Sequence, residues 1–495
     1  MSVFEPRLTA NSNWTGDFVA RQLDVRIRTA PDSAFAVEDL VGLALRRNPK
    51  RAHLLVSTVL AKHVPTEPAL VMAAGTLLGA FIASELCLPT HDAETSRSLA
   101  VATAALTTAL RTSGTDRHNA ITALGDAAAG LHTRVPDAVV LGYAETATGL
   151  GRLVANALGA YYIHSTRQAT PGIESVAGFE EGHSHATSHA MVPTDPHWLD
   201  GDGPVVLVDD EFSTGSTVIN TIRELHALVP HSDYVVAALI DLRSTADRAR
   251  FADLAAELGC SIVVTALGTG EISLGNDIIE RAAALIAELP PVPAGEAAPA
   301  GARGRLAMLE LTDADIAPIR SDRYGNMAPP PEEDVAAVAG QVAALLAAQE
   351  CRGPFAVLGC EENMYLPVAV ANVLAGLLPG EQVRFSSTTR SPIVPIDRAD
   401  YAIAGALSFA SHDATLDGPG SRFAYNLSGT HGRPGTIVLF PEPGTGRRDV
   451  LAGNPAAGLD PLAVAMTKAA DDVVVVLLPA DLPPATDGNS SKDAP

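Results

Sequence analysis

Short runs of consecutive apolar residues alternate along the chain with stretches whose apolar positions recur every three or four residues. Unbroken apolar runs bounded by turn residues predict strands buried on both faces, and the wider spacing predicts amphipathic helices. Strands are expected at 138–142, 160–164, 205–209, 234–241 and 261–267, with helices at 150–158, 218–229 and 245–258. This alternation predicts a parallel sheet with helices on both faces, an α/β architecture. The most apolar run, 69–83, is short of a membrane span and closes on Ser84-Glu85, so it reads as a buried helix.

A second series begins after a Pro/Ala/Gly-rich stretch at 290–303, read as a linker. It echoes the first. Val140-Leu141-Gly142-Tyr143-Ala144-Glu145 returns as Val357-Leu358-Gly359-Cys360-Glu361-Glu362, and each is followed by Val-Ala-Asn in a helix, at 154–156 and 370–372. Ser165-Thr166-Arg167 returns as Thr388-Thr389-Arg390, and Phe179 with 184–187 has a looser echo in Phe409 with 411–415. Thr436–Phe440 then Thr445-Gly446 stands where 205–208 then Thr214-Gly215 stands earlier. The expected organisation is an N-terminal extension (1–35), a first domain (36–289), the linker, a second domain of similar plan (304–482) and a polar, disordered tail (483–495). Two unrelated α/β domains sharing chance matches are the alternative.

Length and composition narrow the class. A chain of 495 residues suits two or more domains, and 47% hydrophobic residues can fill their cores. A net charge of −23 argues against nonspecific nucleic-acid binding. Cys87, Cys260, Cys351 and Cys360 form no C-x-x-C pair, and the N-terminus lacks a signal pattern. The expectation is a cytoplasmic protein without a nucleic-acid or membrane partner.

The chemistry concentrates at 204–217. Val205–Val208 ends in Asp209-Asp210, followed by the small-residue loop Ser213-Thr214-Gly215-Ser216-Thr217 and a helix. In an open parallel sheet a ligand binds at such a strand end. The loop amides and helix start form an anion site, to which the hydroxyls add donors. The two carboxylates can accept hydrogen bonds from a ribose 2′,3′-diol, so the segment fits a ribose 5-phosphate. A solvated strand–turn–helix is the bland alternative. A Walker loop is a poor match because no Lys follows the glycine.

This stretch closely resembles the phosphoribosyl pyrophosphate motif of the phosphoribosyltransferases. Residues 142–151 resemble the pyrophosphate-binding loop of that family, where a non-proline cis peptide would fall near Ala144-Glu145. Together with Thr389-Arg390-Ser391-Pro392, the chain resembles an orotate-phosphoribosyltransferase-like family of bacterial tellurium-resistance and stress gene clusters. That family carries a C-terminal domain named for a Thr-Arg-Ser-Pro signature. The resemblance implies a type I phosphoribosyltransferase-like fold and Mg²⁺-dependent transfer of phosphoribose to a small base-like acceptor with release of pyrophosphate. A nucleoside-like product is implied. Asp209 and Asp210 would hold the ribose and possible Mg²⁺, Ser213, Thr214, Gly215, Ser216 and Thr217 the 5-phosphate, and Ala144, Glu145, Thr146, Ala147 and Arg167 the pyrophosphate. The partners implied are phosphoribosyl pyrophosphate and a small-molecule acceptor, with a homodimer left open. Glu211 departs from the small or apolar residue common at its place.

Glu181, His183 and His185 lie in a long connection that resembles the family's closing loop and are catalytic candidates. The His-x-His-x-x-x-His spacing, ending at His189, also admits a metal site. Residues 46–63 hold five Lys or Arg and no acid, and could help to hold an anion. Residues 320–325 are a candidate to reach the first domain's site. In the second domain Pro441-Glu442 replaces Asp209-Asp210, which points to a partner, lid or specificity domain, although Arg447 and Arg448 could still meet an anion. A ligand sensor without catalysis, a hydrolase and a pyrophosphorylase are the competing functions.

Overall fold

The structure is a computed structural model that describes residues 14–47, 52–86, 93–131, 134–170, 172–180, 188–289, 303–415 and 420–483. The N-terminal part holds α1 (Asp17–Leu23), β1 (Arg26–Thr29), α2 (Val37–Leu40), β2 (Val41–Arg46) and β3 (His53–Ser57). Helices α3 (Pro68–Leu86), α4 (Ala93–Arg111) and α5 (Gly114–Ala129) follow. Next come β4 (Val139–Gly142), α6 (Thr148–Leu158), β5 (Tyr161–His164), β6 (Ala177–Glu180) and β7 (Ser188–Met191). The first half ends with β8 (Val205–Phe212), α7 (Ser216–Leu228), β9 (Asp233–Asp241), α8 (Thr245–Leu258), β10 (Ser261–Ser273) and α9 (Ile278–Glu288).

The first sheet has the order β1-β10-β9-β8-β4-β5, parallel throughout except for β1 against β10. Its interior strands are apolar on both faces because helices cover both; Val139–Gly142 and Val205–Val208 are buried without a break. The chain runs outward from β4 to β5 in one direction and from β8 to β9 and β10 in the other. The crevice at the carboxyl ends of β4 and β8 is therefore the switch point where a ligand fits. The strands expected from sequence all form, but β8 continues to Phe212. Asp209 stays in register with Ala238 and Glu211 with Ile240, so neighbouring strands hold the ladder through the acids. Residues 26–29, assigned to an extension, instead form an antiparallel edge of this sheet. The apolar run at 69–83 lies within α3, which has the length and apolarity of a membrane span. Its Leu70, Leu77, Leu78 and Ile82 are buried in the protein core, in a helix packed on α5 and α6.

After 302 the elements are β11 (Arg305–Glu310), α10 (Glu332–Ala348), β12 (Phe355–Gly359), α11 (Tyr365–Leu377), β13 (Val383–Ser387) and β14 (Ile393–Val394). They continue with β15 (Ala406–Ala410), β16 (Ser421–Tyr425), β17 (Thr436–Phe440), α12 (Arg447–Val450), α13 (Leu462–Met466) and β18 (Asp472–Leu477). The second sheet, β11-β18-β17-β12-β13, is wholly parallel and follows the plan of the first. Gly142 pairs with His164 and Val208, and Gly359 pairs with Ser387 and Phe440. Superposing the two glycines brings Glu145 onto Glu362, Thr166-Arg167 onto Thr389-Arg390, and Asp209-Asp210 onto Pro441-Glu442. The hairpins agree as well: Thr166 bridges Ala190 and Thr389 bridges Phe423, which sets Phe179 against Phe409 and His189 against Arg422. One edge differs, since the place of β10 is taken by β11, which precedes β12 in the chain.

The halves dock closely. Thr66 bridges Phe385 on β13, and the corresponding residue on β5, Tyr162, is bridged by Asn326. β14 adds antiparallel to β2, extending the β2–β3 hairpin into a sheet shared by both halves. Fully buried Arg152 pairs with Asp322 across the interface and stacks over Tyr162 with its guanidinium carbon 4.6 Å from the ring centroid. At Gly149 a Cβ would lie 2.8 Å from Met364 Cβ, so the first turn of α6 can approach the second domain only without a side chain there.

Candidate functional site

A cavity of about 420 Å³ opens at the carboxyl ends of β4 and β8. Its wall carries Ala144, Glu145 and Thr146, Arg167, and the whole of Asp209–Thr217. Thus the separate sequence segments assigned to ribose, 5-phosphate and pyrophosphate face one space, with Ala147 the exception. Ala147 is buried behind the wall, where its amide donates to Tyr143 O at 2.9 Å.

Asp209 and Asp210 are half-buried on the last part of β8, and Asp209 Oδ1 accepts from the Asp210 amide at 2.9 Å. The loop then turns at Gly215, whose φ of +71° is natural only to glycine, and α7 starts at Ser216. A Cβ on Gly215 would meet Phe251 at 2.5 Å. Phe251 is held from behind by Arg243, stacked 4.3 Å from its ring and paired with Asp241 through two 2.9 Å bonds. Thr214 and Ser216 hydroxyls lie 3.2 Å apart, and Arg250 donates to Ser216 Oγ at 3.2 Å. Small side chains, a helix start and a neighbouring guanidinium are features that suit a loop to an anion. Arg250 comes from α8, and its position on that helix gave no sequence signal of this contact.

On the opposite side the Ala144–Glu145 peptide is cis. The Ala144 amide donates to Ser165 Oγ at 3.0 Å. Ser165 Oγ also meets His189 Nδ1 at 3.0 Å, and Arg167 Nη2 lies 3.1 Å from His189 Nε2. A guanidinium can only donate, so Nε2 accepts and Nδ1–H donates to the serine. His189 is therefore neutral and ties Arg167 to the loop. Of the candidate His-x-His-x-x-x-His set, His189 takes this positioning role, while Glu181, His183 and His185 lie outside the described residues.

The charge centre of the cavity is Glu145. Burial pushes its carboxyl up, but Lys62, Arg167, Arg390 and Arg422 more than offset this and hold its pKa below the ordinary carboxylate value. Lys62 Nζ is 3.5 Å from Glu145 and 2.8 Å from Thr146 Oγ1. Burial lowers the Lys62 pKa despite the opposing pull of Glu145 and Asp210. Burial, Lys62 and Arg46 together drive His63 well below its usual value, so its imidazole is neutral. From the basic segment 46–63, Arg46, Lys62 and His63 reach the wall, beside apolar Leu54 and Leu55; Lys50 and Arg51 lie outside the described residues.

The second domain contributes Thr389, Arg390, Ser391 and Pro392 to the same wall. Arg390 Nε lies 3.1 Å from Glu145 Oε1, and the Thr389 hydroxyl and Arg390 amide each approach Glu145 Oε2 at 3.4 Å. The reverse exchange also occurs: Glu362 accepts from Thr166 Oγ1 at 2.7 Å and from the Arg167 amide at 2.8 Å. Residues 320–325 reach the first domain, where Arg323 donates to Gln168 at 2.6 Å, but they do not line the cavity.

The equivalent place in the second domain is narrowed to a pocket of about 40 Å³ lined by Glu362, Asn363, Glu442 and Pro443. Glu442, standing where Asp210 stands in the first, pairs with buried Arg323 at 2.7 Å. Cys360, Glu361 and His412 place potential ligand atoms within 4.8 Å of one another, the one such group among the described residues. Arg422 lies 3.6 Å from Glu361, and its positive charge opposes a cation there. Arg447 is exposed and 3.5 Å from Glu310, away from the cavity wall.

Residues 40–271 match the family model described as phosphoribosyl transferase, and residues 320–452 match the TRSP domain found C-terminal to it. Comparison with curated proteins gives no significant match. Among solved structures, similar chains include the adenine phosphoribosyl transferase of Trypanosoma brucei, with 19% identity and a TM-score of 0.21. The match covers 28% of this chain and 58% of that one. The Leishmania tarentolae enzyme gives 14% identity, a TM-score of 0.21 and coverage of 30% and 65%. The Saccharomyces cerevisiae enzyme gives 15%, 0.18, and coverage of 31% and 81%.

Proposed function

Since the chain belongs to the family in which a phosphoribosyl transferase domain is followed by a TRSP domain, we propose that it transfers phosphoribose from phosphoribosyl pyrophosphate to a nitrogen of a small base-like acceptor. Pyrophosphate is the second product, and a nucleoside-like metabolite of a stress pathway is the proposed end. The observation that carries this reading is the common cavity. Two carboxylates, the Ser213–Thr217 loop and the Ala144–Thr146 loop with Arg167 all line it.

In this reading Asp209 and Asp210 accept from the ribose hydroxyls, and the amides and hydroxyls of Ser213–Thr217 hold the 5-phosphate. Lys62, Arg167 and the Ala144–Glu145 loop face the pyrophosphate. The C1–O bond breaks with its electron pair kept by the pyrophosphate oxygen, the acceptor nitrogen bonds C1, and the proton on that nitrogen leaves to a base or water. Cations already fixed around the leaving group stabilise its growing charge. Half-buried carboxylates beside substrate phosphates are a donor set that Mg²⁺ takes. Asp209 and Asp210 with the donor's oxygens would hold the ion, which when bound neutralises pyrophosphate charge.

Calorimetric titration with phosphoribosyl pyrophosphate, with and without Mg²⁺, tests the reading. Mg²⁺-dependent binding is expected in the wild type, weakened at least about tenfold in Asp209→Asn/Asp210→Asn, since hydrogen bonds to charged groups contribute about 1.5–3 kcal/mol. A wild type that binds nothing in either condition would refute the transferase and return the protein to the sensors of other phosphate ligands. Binding without pyrophosphate release across a panel of bases would favour a sensor of this same ligand.

A further inference from the structure

Arg167 and Arg390 occupy equivalent positions in the two halves, after β5 and β13, yet both stand on the wall of the first domain's cavity. The corresponding place in the second domain keeps only about 40 Å³, and there Glu442 is engaged by Arg323 in an ion pair. We infer that Arg390 is a substrate-contacting residue of the phosphoribosyl site, donated by the second domain and set against the pyrophosphate of the donor. This rests on the proposed transferase reading and adds that the pyrophosphate subsite is complete only across both domains.

Three observations lead there. The Arg390 side chain is mostly buried and its Nε is 3.1 Å from Glu145, a residue of the cis peptide that forms the pyrophosphate loop. Its direction is thereby set before any ligand arrives, which removes an ordering cost from binding. Next, Lys62, Arg167 and Arg390 converge on one side of the cavity around Glu145, whose pKa their charges lower. Guanidinium and ammonium groups converging on one side of a cavity offer charge-assisted donors to an anion, and pyrophosphate supplies several negative oxygens. Finally, the docking that delivers Arg390 is fastened from the other side by Glu362 on Thr166 and on the Arg167 amide. One interface therefore fixes the backbone at Arg167 and the side chain of Arg390. When the C1–O bond breaks, the leaving pyrophosphate gains the electron pair, and two guanidinium groups in place strengthen their hold as that charge grows.

The test compares two ligands on the full chain with Mg²⁺: phosphoribosyl pyrophosphate and ribose 5-phosphate, the second lacking the group that Arg390 is inferred to touch. Arg390→Ala is expected to raise the Kd for phosphoribosyl pyrophosphate at least tenfold, about 1.4 kcal/mol, and to leave ribose 5-phosphate within about twofold. Arg390→Lys should fall between, because an ammonium keeps the charge without the forked contact. Arg433→Ala, which removes an exposed ion pair with Asp471, should behave as the wild type. An unchanged Kd for phosphoribosyl pyrophosphate in Arg390→Ala overturns the inference alone, and an equal loss for both ligands assigns Arg390 to structure instead. A wild type that binds neither ligand removes the transferase reading, and this inference with it.

Discussion

Glu145 gathers cations from three parts of the chain, Lys62 ahead of it, Arg167 behind it and Arg390 from the second domain. Lys62 is the one whose pKa burial lowers from the ordinary lysine value. A lysine that loses its proton earlier than an exposed one should release the donor earlier as pH rises. The Kd for phosphoribosyl pyrophosphate is expected to increase with pH already below the ordinary lysine value of about 10.4, and Lys62→Met should flatten that slope. An identical slope in the variant would show that Lys62 does not face the donor. Glu361 behaves in the opposite sense. Burial first and Asp413 second raise its pKa well above the usual value, against the pull of Arg422. Its folded-state value lies above the unfolded one, so its contribution to stability is complete below the ordinary carboxylate range and is lost as pH rises through the raised value. Between about pH 5 and about pH 8 the thermal midpoint of the wild type should fall more than that of Glu361→Gln. Equal falls would refute a neutral Glu361. At this scale Asp209, Asp210 and the hydroxyl loop were legible, being contiguous. Lys62 was marked only as part of the basic segment 46–63 and His189 only as part of a metal-like spacing, while the contacts of Ser165 and Arg250 were not legible, since an isolated polar residue carries no mark of the neighbour it meets.

Among the elements, the β8–loop–α7 unit depends on Gly215. Its φ of +71° and the nearness of Phe251 leave no room for a side chain. Gly215→Ala is expected to cost at least about 1–2 kcal/mol from the left-handed backbone alone, lowering the thermal midpoint and weakening ribose 5-phosphate binding. A variant with wild-type affinity would show that the loop does not need this turn. The central strands were readable because burial on both faces makes them continuously apolar. The length of β8 was not, because Asp209–Glu211 look like a loop in sequence but are kept in the ladder by β9. Strand β1 was missed for a related reason. Arg26-Ile27-Arg28-Thr29 is polar, as an edge strand can be, and only its pairing with β10 identifies it.

The whole molecule is a pair of like α/β units in which one holds a cavity of about 420 Å³ and the other only about 40 Å³ at the equivalent place. Each lends the other a glutamate: Glu145 to Thr389 and Arg390, Glu362 to Thr166 and Arg167. Glu362→Ala removes both acceptor bonds and leaves buried Arg323, 3.9 Å away, with one acid fewer. A loss on the order of 3 kcal/mol is expected, as for a broken buried pair, visible as a lower thermal midpoint together with weaker binding of phosphoribosyl pyrophosphate. Stability and affinity both at wild-type levels would mean that the interface does not organise the site.

Local order and tertiary order divide the account between them. Alternating apolar runs, helical periods and the small-residue turn determined the α/β plan, the internal repeat and the β8–loop–α7 unit, because each is written in a short contiguous segment and governed by burial and backbone geometry nearby. The repeat even marked where the second copy had exchanged Asp209-Asp210 for Pro441-Glu442. Which cations share the cavity was decided only in three dimensions. Lys62, Arg167 and Arg390 are far apart in the chain, and they meet because Thr66 bridges β13, Asn326 bridges β5 and β14 extends the β2–β3 hairpin. Those contacts arise from the docking of two complete surfaces, and the charge balance around Glu145 exists only once both have formed.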